Sequence, residues 1–265
     1  GRGGEVDSMA ARELIQPDRG FIQDVMAGGG HSLKKCFQCA TCSAVCPLSP
    51  EEHPFPRKEM LWAQWGLRER LLHDPDVWRC YDCGDCSTQC PRGAKPSEIM
   101  GAVRNQAFRY YSRPGFMGKM VGDPAWLPIL LAIPALIFLG VLYHVGNLKV
   151  LPTGPIQFGK FLPHLWIDGI FIAVSAFVGA SLVAGLSAMW KAMDEHTPHG
   201  PNYGKTSVLA AVVGAATDVI AHRRFNECGH NNWRFLGHFT AFSGFVALFI
   251  VTAIVFVGLY AFKIH

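Results

Sequence analysis

Two runs of cysteine constrain this chain more than any other feature: Cys36-Phe37-Gln38-Cys39-Ala40-Thr41-Cys42-Ser43-Ala44-Val45-Cys46-Pro47 and Cys80-Tyr81-Asp82-Cys83-Gly84-Asp85-Cys86-Ser87-Thr88-Gln89-Cys90-Pro91. Each reads C-x-x-C-x-x-C-x-x-x-C-P. With this spacing a short loop turns three thiolates onto one face of a [4Fe-4S] cubane while the fourth ligand comes from elsewhere. Where two such runs share a chain, the last cysteine of each serves the other run's cluster. The reading therefore assigns Cys36, Cys39, Cys42 and Cys90 to one cluster, and Cys80, Cys83, Cys86 and Cys46 to the second. Structural zinc sites pair two C-x-x-C knuckles or mix in histidine, which two identical four-cysteine runs ending in proline do not resemble. A disulfide framework belongs to small domains in oxidising compartments, and nothing else in the sequence suggests secretion.

The charge pattern splits the chain. Gly1 to Trp126 carries 16 Lys+Arg and 15 Asp+Glu, and the remainder only 8 and 5. With half of all residues hydrophobic and 17% charged, the chain is too apolar for an ordinary soluble protein. A net charge of +4, without a basic run interleaved with base-stacking aromatics, does not point to nucleic acid. The partner implied is a membrane.

The opening residues hold no signal-peptide core. Met9, Leu14, Ile15, Phe21, Ile22 and Val25 suit a short helix around Pro17, and Gly28-Gly29-Gly30 reads as a turn, lacking dinucleotide-binding spacing. Between the cysteine runs, Glu59 to Leu72 reads as a helix started near Pro54 and Pro56 and stopped by Asp74-Pro75. Leu61, Trp65, Arg68 and Leu72 share one of its faces, so Leu61 and Trp65 are expected in the core beneath the clusters.

After Cys90 come Arg92, Lys95, Arg104, Arg109, Arg113 and Lys119, against only Glu98 and Asp123, with Phe108, Tyr110, Tyr111, Phe116 and Trp126 among them. Such a mixture beside an apolar stretch marks a cytoplasmic membrane interface. Spans are expected near 127–145, 165–190 and 239–262, each about the length needed to cross the hydrocarbon core. Thr206 to Ala221 is short and contains Asp218. Keeping it on the inner surface leaves Lys191, Lys205, Arg223, Arg224 and Arg234 inside, against Lys149 and Lys160 outside, as the positive-inside rule prefers.

The expected architecture is mainly α. A helical two-cluster ferredoxin domain (1–103) leads through a basic aromatic interfacial segment (104–126) to a membrane domain of three spans plus an interfacial helix (127–265). In that domain His144 and His164 fall near the outer surface, and His222 and His238 near the inner. Either pair suits axial ligation of a haem, and the inner pair also suits a quinone headgroup. Asp218 and His222 stand i, i+4 as a candidate proton-handling pair. His196 and His199 are expected to be exposed, and Cys228 to be a free thiol.

The stretches Ser32 to Cys42, Pro56 to Gly66 and Cys90-Pro91-Arg92-Gly93-Ala94-Lys95-Pro96 together resemble the third subunit of quinone-interacting membrane-bound oxidoreductase complexes. That family itself resembles a fusion of the iron-sulfur and membrane-cytochrome subunits of heterodisulfide reductase. The likeness continues through His222-Arg223-Arg224-Phe225 and His238. It implies a cytoplasmic-membrane electron-transfer subunit working between menaquinone and cytoplasmic flavin/iron-sulfur partners, linked to adenylylsulfate reductase in sulfur metabolism, with haem b in the membrane domain. Further helices are expected in that family beyond the position of His265. A heterodisulfide reductase-like or glycerol-3-phosphate dehydrogenase-like electron-transfer subunit is the nearest alternative, and an iron-sulfur membrane anchor or redox sensor the alternative of another class. No paired-cysteine C-C-G motif of a disulfide-reducing site is present.

Overall fold

A computed structural model describes residues 15–49, 54–149, 161–196, 207–223 and 232–262. Met9, Leu14, His199 and Cys228 lie outside them. The chain divides into two compact units, Gly1–Thr197 and Pro198–His265. Every regular element among the described residues is helical.

The first unit begins with α1 (Arg19–Ala27). Its cap is Asp18, one residue after Pro17, whose carboxylate accepts the Phe21 N–H at 2.9 Å. The first cysteine run follows a 3-10 turn (Leu33–Lys35) and encloses α2 (Thr41–Ala44). Between the runs lie α3 (Arg57–Trp65), α4 (Arg68–Leu72) and a 3-10 segment (Pro75–Arg79). The second run encloses α5 (Asp85–Thr88), and α6 (Pro96–Tyr111) then spans the unit.

The single helix expected from Glu59 to Leu72 is broken at Gly66, which sits at φ +68°; a Cβ there would lie 2.5 Å from the Asp18 carbonyl oxygen. The Asp18 amide also donates to the Gly66 carbonyl at 3.0 Å, pinning the break to the start of α1. This break changes which face of α3 is buried. Met60 and Ala63 join the core with Phe21, Val25, Leu33, Leu71, Ile99, Met100 and Val103, whereas Trp65 is 51% exposed and Leu61 is half-buried. The expectation that Leu61 and Trp65 form the core face is corrected accordingly: a nine-residue helix is too short for its periodicity to fix a face.

From α6 the chain continues into α7 (Gly115–Val121), then α8 (Leu127–Val145) and α9 (His164–His196). Stretches Pro124–Val145 and His164–His196 are long and apolar enough to cross a membrane. The second runs past the expected end at 190 because its last turns dock on the hydrophobic core of the first unit: Ala188, Met189 and Ala192 pack against it. The His196 ring meets that of the buried His73 at 4.3 Å. Contact is close at Gly185, where a Cβ would lie 2.9 Å from the Tyr111 carbonyl oxygen.

The second unit contains α10 (Val208–Ala221) and α11 (Asn232–Ala261). Stretch Phe235–Ala261 meets the length and apolarity needed to span; α10, at 14 residues, is too short. The three expected spans are thus present as three helices capable of crossing, with α10 a short apolar helix.

Candidate metal centre

The two cysteine runs fold into matched loops. Each first cysteine, Cys36 or Cys80, caps a 3-10 turn. Two residues later the backbone turns left-handed, at Gln38 (φ 61°) and Asp82 (φ 56°), and again two residues further on, at Ala40 (φ 67°) and Gly84 (φ 84°). A short helix then opens at Thr41 or Asp85, immediately before the third cysteine. Alternating handedness turns backbone N–H groups inward toward anionic sulfur. Accordingly the Gln38 and Asp82 amides each donate to the preceding cysteine Sγ, at 3.4 Å in both loops.

Each loop is braced by an arginine. Arg57 Nε donates to the Gln38 carbonyl at 3.1 Å, and Arg104 donates to the carbonyls of Val77 (2.9 Å) and Cys80 (2.7 Å). The first loop has further support from Gln64, which donates to the carbonyls of Leu33 and Cys36 while its Oε1 accepts from Gln38 Nε2. Gln38 Nε2 in turn reaches Cys36 Sγ at 3.4 Å. The sequence signals none of these braces; the left-handed residues at 38, 40 and 82 are not glycine, the usual sign of such backbone.

Electrostatics link the runs. Burial pushes up the thiol of Cys36, and the nearby Cys90 adds to the rise; burial likewise raises Cys46, with Cys83 adding. Cys42 and Cys86 are both pushed up to about 11, chiefly by burial, and Cys86 contributes to the rise at Cys42. Cys39 moves the other way because the Thr41 hydroxyl and amide hydrogen-bond its sulfur. Ligation requires thiolates, so loading iron displaces these protons.

The donor set fits a cluster better than a single ion. Around one zinc, bonds of about 2.3 Å hold sulfurs about 3.8 Å apart. Among the described residues the one group of three metal-type ligand atoms within 4.8 Å of one another is Glu59, Asp74 and Asp76, with no cysteine in it. The Lys58 ammonium already serves those carboxylates, at 2.8 Å from both Asp74 and Asp76 and 3.3 Å from Glu59. Among the described residues no three of the eight thiols lie within 4.8 Å of one another, so they do not form a tetrahedral zinc site.

The candidate histidines separate in the structure. The His144 ring packs edge-on against Trp166, with centroids 5.4 Å apart, rather than against His164. In the second unit His222 Nε2 and His238 Nδ1 lie 2.9 Å apart. His222, 4% exposed and left-handed at φ 51°, is ringed by Phe235, Phe239 and Phe242. Its Nδ1 faces the Ile220 carbonyl at 3.1 Å. With that nitrogen donating, Nε2 accepts the His238 Nδ1 proton. An iron between two imidazoles would hold their nitrogens about 4 Å apart, given metal–nitrogen bonds of about 2 Å, so His238 must swing outward before a haem fits there. Asp218 pairs with Arg223 at 3.5 Å, and its backbone carbonyl accepts the His222 N–H.

The matched loops have a counterpart among known families: residues 32–94 match the one described as 4Fe-4S dicluster domain. Among named proteins, the chain is 36% identical over 110 residues to the C subunit of the H2:CoB-CoM heterodisulfide,ferredoxin reductase of Methanothermobacter marburgensis, covering 40% of this chain and 57% of that one. It is 32% identical over 105 residues to an Archaeoglobus profundus protein like the C subunit of heterodisulfide reductase, covering 39% and 56%. For the C2 subunit of the H2/formate:CoB-CoM heterodisulfide,ferredoxin reductase of Methanococcus maripaludis the figures are 34% over 107 residues, 37% and 56%. The chain spans a little over half the length of these curated relatives. They are similar to its iron-sulfur part, and the chain carries in addition three helices capable of crossing a membrane.

Proposed function

We propose that this chain is a membrane-anchored electron-transfer subunit in which two [4Fe-4S] clusters pass single electrons between menaquinone in the bilayer and flavin/iron-sulfur subunits in the cytoplasm. Cys36, Cys39, Cys42 and Cys90 hold one cluster; Cys80, Cys83, Cys86 and Cys46 hold the other. The observation that carries the reading is the pair of matched loops, with Cys90 acting on Cys36 and Cys83 on Cys46 across the two runs, in the same unit as two membrane-capable helices. On this reading residues 1–103 form the cluster domain on the cytoplasmic face, 104–126 the interfacial segment and 127–265 the membrane domain.

The physiological ends are assigned by resemblance: the quinone pool on one side and adenylylsulfate reductase on the other. The His222–His238 pair, with its rings in contact and His222 buried among aromatic side chains, is the better candidate for haem b or a quinone headgroup than His144 and His164. Electron paramagnetic resonance of the anaerobically reduced complex, with metal analysis, is expected to find about eight irons per chain; zinc in their place refutes cluster ligation. Copurification from native membranes tests the partners, and an absent b-type absorption band after dithionite reduction removes the haem.

A second reading is favoured by the named relatives. The same wiring serves a heterodisulfide reductase-like complex, in which partner subunits hold the disulfide chemistry. Cluster oxidation by a menaquinone analogue in membranes separates the two.

A further inference from the structure

A cavity of about 670 Å³ opens where the iron-sulfur core meets the membrane-capable helix α9. Its size is that of a small-molecule site. One wall is apolar and belongs to α9, from Phe177 through Leu182 and Leu186 to Met189; the other comes from the end of α6, from α7 and from Trp78.

We propose that this cavity seats the ring of a lipid-soluble quinone, an inference that rests on the quinone reading above and gives it a place. Three observations converge. The α9 wall belongs to a stretch suited to the bilayer, which supplies apolar carriers to the site without a water-filled path. Trp78, two residues before Cys80, lines the cavity and meets Phe108 edge-on at 5.3 Å, while Arg104 ties its neighbour Val77 and Cys80 together through their carbonyls. The second cluster loop is therefore within about 7 Å of chain from the cavity wall. Finally, the lining contains donors suited to ring carbonyls. Arg109 lines the cavity as a cation, with one terminal nitrogen donating to the Gly122 carbonyl. Ser181 adds a hydroxyl to the lining from the α9 side.

The redox step balances with groups already named. Reduction of the ring takes two electrons, delivered singly by the clusters, and two protons from water; both C=O groups become C–OH. Oxidation of the quinol runs in reverse, returning one electron at a time to the clusters and both protons to water.

The test uses the complete complex in membranes and an azido-menaquinone analogue. Photolabelling is expected in peptides covering residues 105–122 and 177–189. Ser181→Trp, which fills the cavity, is expected to abolish that label and slow quinol-driven cluster reduction at least tenfold, with cluster resonance signals unchanged. Ser181→Ala keeps the space but removes the hydroxyl and is expected to weaken the label without abolishing it, which separates blockage from misfolding. Label confined to residues 232–262, or wild-type rates in Ser181→Trp, overturns the site while leaving the quinone reading intact. A phospholipid found there by native mass spectrometry, with quinone labelling elsewhere, has the same consequence. No labelling and no quinol-driven cluster reduction in the wild type sinks both.

Discussion

Replacing Glu59 by glutamine should make the iron-sulfur unit more stable at neutral pH. The Glu59 side chain is fully buried and neither carboxylate oxygen makes a hydrogen bond. Its one cation, Lys58, stands 3.3 Å away and is held closer, at 2.8 Å, by Asp74 and by Asp76. Burial is the main cause that pushes the Glu59 carboxyl from 4.5 up to about 7, with Lys58 pulling the other way and Asp74 adding to the rise. Below pH 4.5 folded and unfolded chains both carry the proton. Between 4.5 and about 7 the folded chain keeps it and the unfolded chain does not, so stability falls as pH rises through that window. The full difference, from the acid plateau to above pH 7, is about 3 kcal/mol. Glutamine has the same shape and does not titrate. Glu59→Gln and wild type should therefore differ by about 1 kcal/mol at pH 5 and by about 3 kcal/mol at pH 8, the latter on the order of 6–12 °C in Tm. The assay is thermal loss of cluster absorption at one scan rate across pH 5–8. Infrared spectroscopy should in parallel find a protonated-carboxyl band that fades near pH 7 in wild type and is absent from the variant. Parallel stability curves for the two proteins, or a wild-type band already lost at pH 5, would overturn this account of Glu59.

Other outcomes follow from the loops and the core. Cys46→Ser should perturb the second run's cluster and Cys90→Ser the first run's, read by resonance signals of each cluster; damage confined to a variant's own run refutes the crossed ligation. Gly84→Val forces a β-branched residue to φ +84°, a cost of about 1–3 kcal/mol, and should lower iron content at the second cluster. Gln38→Leu removes the side-chain N–H directed at Cys36 Sγ and should shift the first cluster's potential downward in a redox titration, since hydrogen bonds to sulfur favour the reduced cluster. Met60→Ala should destabilise by about 2–5 kcal/mol, whereas Trp65→Ala, on an exposed side chain, should stay within about 0.5 kcal/mol; comparable losses would restore the rejected core face.

Cysteine spacing and hydropathy carry much of this architecture into the open because both are local. Three thiols within seven residues announce their loop, and twenty apolar residues announce a span wherever the rest of the chain goes. What stays hidden depends on segments distant in sequence. Lys58 acquires its carboxylates only because the 3-10 turn Pro75–Arg79 folds back on α3, and Gln64 becomes a brace only once Leu33 and Cys36 lie beside it. The face of α3 is misread from periodicity since a pattern running across Gly66 joins two helices that point differently. Of the two expected histidine pairs only His222 and His238 meet, and the reason is again tertiary: His144 finds Trp166, an aromatic neighbour no periodicity selects.

The helix α6 starts beside one cluster loop, where Ser97 and Ser87 hydroxyls meet at 2.9 Å, and ends at Tyr111 against Gly185 of α9. Its 16 residues make a rod about 24 Å long. A rod of this kind works as a ruler with a phase. Inserting one residue lengthens it by about 1.5 Å and also rotates one end by about 100° relative to the other, breaking either the serine contact or the glycine contact. The separation between metal loop and apolar helix is thus set in whole turns. Natural variation in length should collect in the loops on either side of α6, and spare the helix itself.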